Sequence, residues 1–242
     1  MKSKALFLLL LLTPFIVSGR TPKNCKTIKV AVIDTGLDLT DPRFINHLCK
    51  TGHKNFVDNE TLDDINYHGT HVAGLIEKYA GNANYCLLIY KYFSDNASGL
   101  LNLSREVLAL QEAIKNGADI INFSGGGGEF SEEEALLIKY HPEITFVVAA
   151  GNDHHSLDIP GNEFYPASLF LPNEEVVAAV DKNKKLIPET NYGKYVENKE
   201  LGFHVLSLFP NGQMGYMTGS SQATAIFSGK LVAKTSRMCK SK

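Results

Sequence analysis

The sequence predicts an α/β protein, a single doubly wound domain whose mostly parallel sheet carries helices on both faces. Three observations predict it. Near-continuous runs of β-branched and small apolar residues recur along the chain, as strands buried on both faces require. Segments with helical apolar spacing stand between those runs. No repeat, linker or low-complexity tract divides the 242 residues, a length that suffices for one well-buried domain and is short for two.

The elements follow in order. Ile28-Lys29-Val30-Ala31-Val32-Ile33 reads as the first strand, ended by Asp34-Thr35-Gly36. Val72, Leu75, Ile76 and Tyr79 give residues 71–79 a helical stripe that stops at Gly81. Cys86 to Phe93 reads as a second buried strand, and Val107, Leu108, Leu110 and Ile114 as a helix that stops at Gly117. Asp119 to Ser124 is a strand running into the four glycines 125–128. Ser131-Glu132-Glu133-Glu134 has the form of a capping box that opens the next helix. Ile144 to Ala150 and Val176 to Val180 are further buried strands. A strand over Phe203–Leu208 precedes a final helix from about Ser221 to Lys234.

Composition excludes several function classes. With 44% hydrophobic residues the chain is not disordered, and 24 Lys+Arg against 26 Asp+Glu leave a net charge of -2 that gives no sign of a nucleic-acid partner. The N-terminus reads as a secretory signal peptide over residues 1–19. Lys2 and Lys4 lead into an apolar run from Ala5 to Val17, and Ser18 and Gly19 supply small residues at the exit. That run is shorter than the roughly 20 residues of a spanning helix. The expectation is a secreted or periplasmic domain over residues 20–242, a monomer with no stable membrane association. In an oxidising compartment the four cysteines, Cys25, Cys49, Cys86 and Cys239, would form up to two disulfides, with three connectivities open. None has the close spacing of a zinc or redox motif. N-x-[ST] sequons stand at Asn59, Asn96, Asn102 and Asn122.

In such sheets chemistry gathers beyond the carboxyl ends of the strands. Asp34 closes the first strand, Ser124 and the glycines follow the third, and Asn152 follows Ala149-Ala150-Gly151. Two expected helix starts carry His68-Gly69-Thr70-His71 and Gly219-Ser220-Ser221. An acid, a histidine and a serine so placed are the inventory of nucleophilic acyl transfer. Chain order then discriminates. An α/β-hydrolase needs its acid and histidine after the nucleophile, and no His, Asp or Glu follows Ser221. The chymotrypsin order belongs to β-barrels. Asp34, His68, Ser221 is the remaining order. The glycine run does not read as a phosphate loop, because it lacks a Gly-Lys-[Ser/Thr] ending and leads into three glutamates.

These segments resemble the motifs of the subtilisin-like serine peptidases. Val30 to Gly36 is similar to the family's aspartate motif, and His68-Gly69-Thr70-His71-Val72-Ala73-Gly74 matches its histidine motif. Gly219-Ser220-Ser221-Gln222-Ala223 resembles its serine motif, with Ser220 in place of the usual Thr. Ile121-Asn122-Phe123-Ser124 with Gly126-Gly127 resembles the substrate-binding strand, and Ala149-Ala150-Gly151-Asn152 the oxyanion segment. The likeness runs from about Ile28 to Val232.

The resemblance implies a serine endopeptidase acting on polypeptide substrates. Asp34, His68 and Ser221 would be catalytic, and Asn152 with the Ser221 backbone would form the oxyanion hole. Ser124, Gly125, Gly126 and Gly127 would bind substrate, opposite a second substrate-facing strand at Ser98, Gly99 and Leu100. His71 is expected to be structural, and His154-His155 beside Asp153 a solvated loop. No metal or cofactor is expected. Many relatives carry a calcium loop after the histidine helix, but Tyr79 to Tyr85 is short and lacks carboxylates. The family topology also implies Cys49–Cys86 and leaves Cys25–Cys239. Departures are Ala225 and Ile226 where the family has Pro and His. The expected mature start lies too close to the first strand for an inhibitory pro-domain. The competing reading is a catalytically degenerate member that keeps the fold as a binding module.

Overall fold

The computed structural model describes residues 25–241, and side chains up to Cys239. The expected signal peptide lies outside the described residues. Seven strands form one parallel sheet: β1 (Ile28–Asp34), β2 (Lys54–Asn55), β3 (Tyr85–Lys91), β4 (Ile120–Phe123), β5 (Thr145–Ala149), β6 (Glu174–Val180) and β7 (Asn198–Leu201), in the order β2-β3-β1-β4-β5-β6-β7. The chain runs from β1 to one side of it and then returns to the other, so the sheet's switch point lies between β1 and β4.

Side-chain alternation on the strands explains the two layers. Val30 and Val32 face one core with Leu87, Ile89 and Val147. Ala31 and Ile33 face the other with Leu88, Tyr90 and Phe146. The first face is covered by α2 (His68–Ala80) and α5 (Ser220–Ser241), which bury Val72, Leu75, Ile76, Ala225 and Ile226. The second is covered by α3 (Gly99–Lys115) and α4 (Glu132–Lys139), through Ala109, Leu110, Ala113 and Ile138. A short helix α1 (Pro42–Ile45) precedes β2. The expected α/β architecture is the observed one.

Three details differ from expectation. Ser98, Gly99 and Leu100 do not form a strand. Ser98 is the N-cap of α3, its Oγ accepting from Leu101 N at 3.2 Å, and Gly99 and Leu100 lie in the first turn. The strand expected at Phe203–Leu208 is β8 (Val205–Phe209), and it pairs antiparallel with β9 (Gln213–Met217) as a separate hairpin. The capping box of α4 is half formed. Ser131 Oγ accepts from Glu134 N at 3.2 Å, but both Glu134 carboxyl oxygens are buried without a return bond to Ser131.

The cysteines pair as Cys49–Cys86 and Cys25–Cys239. The first ties the loop after α1 to the start of β3, the second the approach to β1 to the end of α5. With sequence separations of 37 and 214, loop closure assigns them about 4 and about 5 kcal/mol.

Candidate active site

Register places the carboxyl ends of three strands side by side. Ile33 is level with Phe123, and Phe123 with Val148, so Asp34, Ser124 and the segment leading to Asn152 emerge together. Asp34 is 4% exposed, and its Oδ1 accepts from Thr35 N at 2.8 Å and lies 2.8 Å from His68 Nδ1.

His68 reaches that carboxylate because the start of α2 is pressed onto the turn after β1. A Cβ on Gly69 would stand 2.2 Å from Gly36 O, so only glycine permits this approach. Gly36 itself has φ +109°, a conformation that L side chains rarely adopt. Side chains then satisfy the first N–H groups of the helix. Thr35 Oγ1 accepts from Gly69 N and Asp64 Oδ2 from Thr70 N, both at 2.8 Å, while Thr35 Oγ1 donates to Asp64 Oδ1. The short motif sequences are thus one interlocked cap.

Electrostatics follow from this packing. Burial by itself would lower the His68 pKa, but the Asp34 charge, its hydrogen bond and the more distant Asp64 outweigh it, and the value is raised. The side chain is still 26% exposed. His71, three residues on, is fully buried with Nε2 donating to Val205 O at 3.0 Å; burial lowers its pKa to about 4 and keeps it neutral. Its role is to join α2 to β8.

Ser221 is the second residue of α5 and is 8% exposed. Asn152 Oδ1 accepts from Ser220 N at 2.8 Å, which caps the helix and turns the Asn152 amide NH₂ outward without a partner among the described residues. The Ser221 N–H also lacks a partner there, as the early N–H groups of a helix do. Ser221 Oγ donates to Ser124 O at 2.9 Å, and Ser124 Oγ donates to Ser221 O at 3.2 Å. The structure therefore joins Asp34 to His68 and Ser221 to Ser124, with no hydrogen bond between His68 and Ser221. A cleft of about 260 Å³ holds Asp34, His68, Ser124, Gly125 and Gly126 in one lining.

The glycine segment is more occupied than the bare sequence implies. The missing Cβ of Gly125 makes room for Tyr92 Oη, 2.3 Å from where it would be, and that of Gly126 for the Phe164 ring and Tyr165 O. Gly127 exchanges both backbone hydrogen bonds with Tyr165, at 3.0 and 2.7 Å. Of the glycines expected to accept a substrate strand, Gly125 and Gly126 border the cleft and Gly127 is already paired.

Calcium does not fit the segment where the family's loop would lie. Residues 79–85 supply no carboxylate, and Asn84 is engaged, its Nδ2 donating to Cys25 O at 3.0 Å and its Oδ1 accepting from Thr27. Among the described residues no group of three His, Cys, Asp or Glu could hold a metal ion.

Comparison with known proteins gives the chain a family. The model of the Subtilase family matches residues 25–237. The Major intracellular serine protease of Bacillus subtilis (strain 168) is 33% identical over 222 residues, covering 85% of this chain and 67% of the relative. The Thermophilic serine proteinase of Bacillus sp. (strain AK1) is 33% identical over 212 residues, covering 83% of this chain and 50% of the relative. Among solved structures, a cold adapted subtilisin-like serine proteinase superposes with a TM-score of 0.74 at 23% identity, over 88% of this chain and 77% of that one, a likeness of fold. The chain belongs to the subtilase family of serine peptidases.

Thr35 and Asp64 as supports of His68, and the buried Glu106 and Glu134, were not read from the sequence. The signal for Asp64 was present, an acid four residues before His68. Nothing local marks a pair of glutamates from two helices.

Proposed function

We propose that the protein is an endopeptidase in which Ser221 Oγ attacks the scissile carbonyl and an acyl-enzyme forms. The observation that carries the reading is the 2.8 Å contact of His68 Nδ1 with Asp34. It holds the ring so that Nε2 is the nitrogen left to take the Ser221 proton and later deliver it to the leaving amine. Asp34 fixes the tautomer and stabilises the imidazolium. In the reaction the Ser221 hydroxyl would give up its bond to Ser124 O in favour of His68 Nε2. Asn152 Nδ2 and the Ser221 N–H, both without partners among the described residues, would donate to the oxyanion as it develops, aided by the positive end of the α5 dipole.

Two further points belong to this reading. The disulfides suit an oxidising compartment, which supports export. No helix among the described residues is long and apolar enough to cross a membrane. The Ser221–Ser124 hydrogen bond is the one feature that would also suit a degenerate, binding-only protein. Hydrolysis of an unstructured protein such as reduced casein separates the two. Wild type should cleave it, and Ser221→Ala and His68→Ala should each lose activity by about 10³-fold or more. A folded wild type that leaves casein intact would favour the binding module.

A further inference from the structure

A second cavity, of about 220 Å³, adjoins the cleft and shares Tyr92, Phe93 and Gly126 with it. Its lining includes two carboxylates, Glu106 and Glu129, and no lysine, arginine or histidine. Glu129 is exposed, as a residue at the rim would be. Glu106 is different. It is 4% exposed, it comes from the buried face of α3, and its Oε1 has no hydrogen-bond partner.

Behind Glu106, outside the cavity lining, stands Glu134 of α4, 1% exposed, whose buried carboxyl oxygens have no partner among the described residues other than the Glu106 carboxyl. The two carboxyls meet side chain to side chain, and no ion pair among the described residues engages either. Burial, together with the Glu134 partner, holds the Glu106 pKa well above the usual carboxylate range, and burial raises that of Glu134 too. Tyr92 and Glu174 lie near the pair and add no positive charge. Ionising both acids of such a buried pair is costly, because each charge would be desolvated and repelled by the other, so the two carboxyls keep a proton between them. Glu134 even forgoes its capping bond to take this position. Glu106, which lines the cavity, nevertheless keeps Oε1 without a partner, and an incoming cation would satisfy that oxygen and favour the ionised form of the pair.

We infer that this cavity is a specificity pocket for a lysine or arginine side chain of the polypeptide substrate, with the Glu106–Glu134 pair meeting the cationic head. The aromatic and aliphatic walls, Tyr92, Phe93 and Leu103, suit the apolar stem of such a side chain and the face of its charge. The cavity borders the cleft at Tyr92, Phe93 and Gly126 and has none of Asp34, His68 or Ser221 in its lining, so the selected residue is set away from the scissile bond. This inference rests on the peptidase reading above.

The test is a positional-scanning peptide library cleaved by wild type, Glu106→Gln and Glu134→Gln, the Gln variants keeping the side-chain volume. Wild type should prefer Lys or Arg over norleucine at one position removed from the cleaved bond, by about tenfold or more in kcat/KM. Each variant should lose most of that ratio at that position and no other. Library cleavage without such a preference, a preference there for apolar residues, or a cationic preference that survives both substitutions would overturn the inference and leave the peptidase reading standing. No cleavage by folded wild type would overturn both.

Discussion

Gly69 and Gly36 touch where no side chain could, a Cβ on Gly69 standing 2.2 Å from Gly36 O. That contact sets the start of α2 against the end of β1, and it brings His68 to Asp34. Gly69→Ala should therefore destabilise the fold by about 2–4 kcal/mol, as overpacking against backbone does. Gly127→Ala, where a new Cβ meets nothing within 4 Å, should stay within about 0.5 kcal/mol. Urea unfolding followed by circular dichroism compares the two, and equal midpoints would refute the close-contact account.

Asp34→Asn should lower kcat by about 10⁴-fold, because the amide favours the wrong histidine tautomer. It should also move the pH profile. A protonated His68 cannot accept the serine proton, so activity rises with pH through its pKa, which Asp34 raises. Removing that charge lowers the pKa and shifts the acid limb of kcat/KM to lower pH. A limb that stays put or moves up in a measured pH–rate profile would contradict this coupling.

Replacing Cys25 and Cys239 together by alanine should cost roughly 3–5 kcal/mol under oxidising conditions. Under strong reductant the variant and wild type should converge. Denaturant midpoints measured with and without reductant decide it, and an unchanged oxidised midpoint would show that the 214-residue closure contributes nothing.

Expression in a glycosylating host tests the sheet assignment. Asn122 is fully buried, its Nδ2 donating to Ser124 Oγ at 3.0 Å and its Oδ1 accepting from Ser228 at 2.8 Å. Asn102 is buried as well, bonded through both amide atoms to Ser94. Mass spectrometry of the active protein should find both unmodified, with any glycan confined to the exposed Asn59 and Asn96. A glycan on Asn122 would unseat β4.

Much of this was legible in the chain because the relevant signals are local. Strands buried on both faces announce themselves as runs such as Val30 to Ile33, and the residues that close them carry the chemistry. Other parts were hidden for physical reasons. Ser98 to Leu100 were expected in a substrate-facing strand on the family resemblance alone, and the exposed Leu100 and Leu101 give no apolar stripe that would mark the start of α3 there. The β8–β9 hairpin was overlooked although Asn211-Gly212, at φ 63° and 69°, is a turn signal for it. Glu134 read as half of a capping box, because the capping pattern is local and its true partner, Glu106, is on another helix. Pairing across elements leaves no mark in a single sequence.

The central claim is that Ser221 is a nucleophile activated by His68. Its most direct measurement is labelling with a fluorophosphonate probe, followed by peptide mapping. Wild type should carry one adduct, on Ser221, while Ser221→Ala carries none and His68→Ala labels at least about 10³-fold more slowly. A folded wild type that stays unlabelled, or a Ser221→Ala variant that labels equally well, would contradict it.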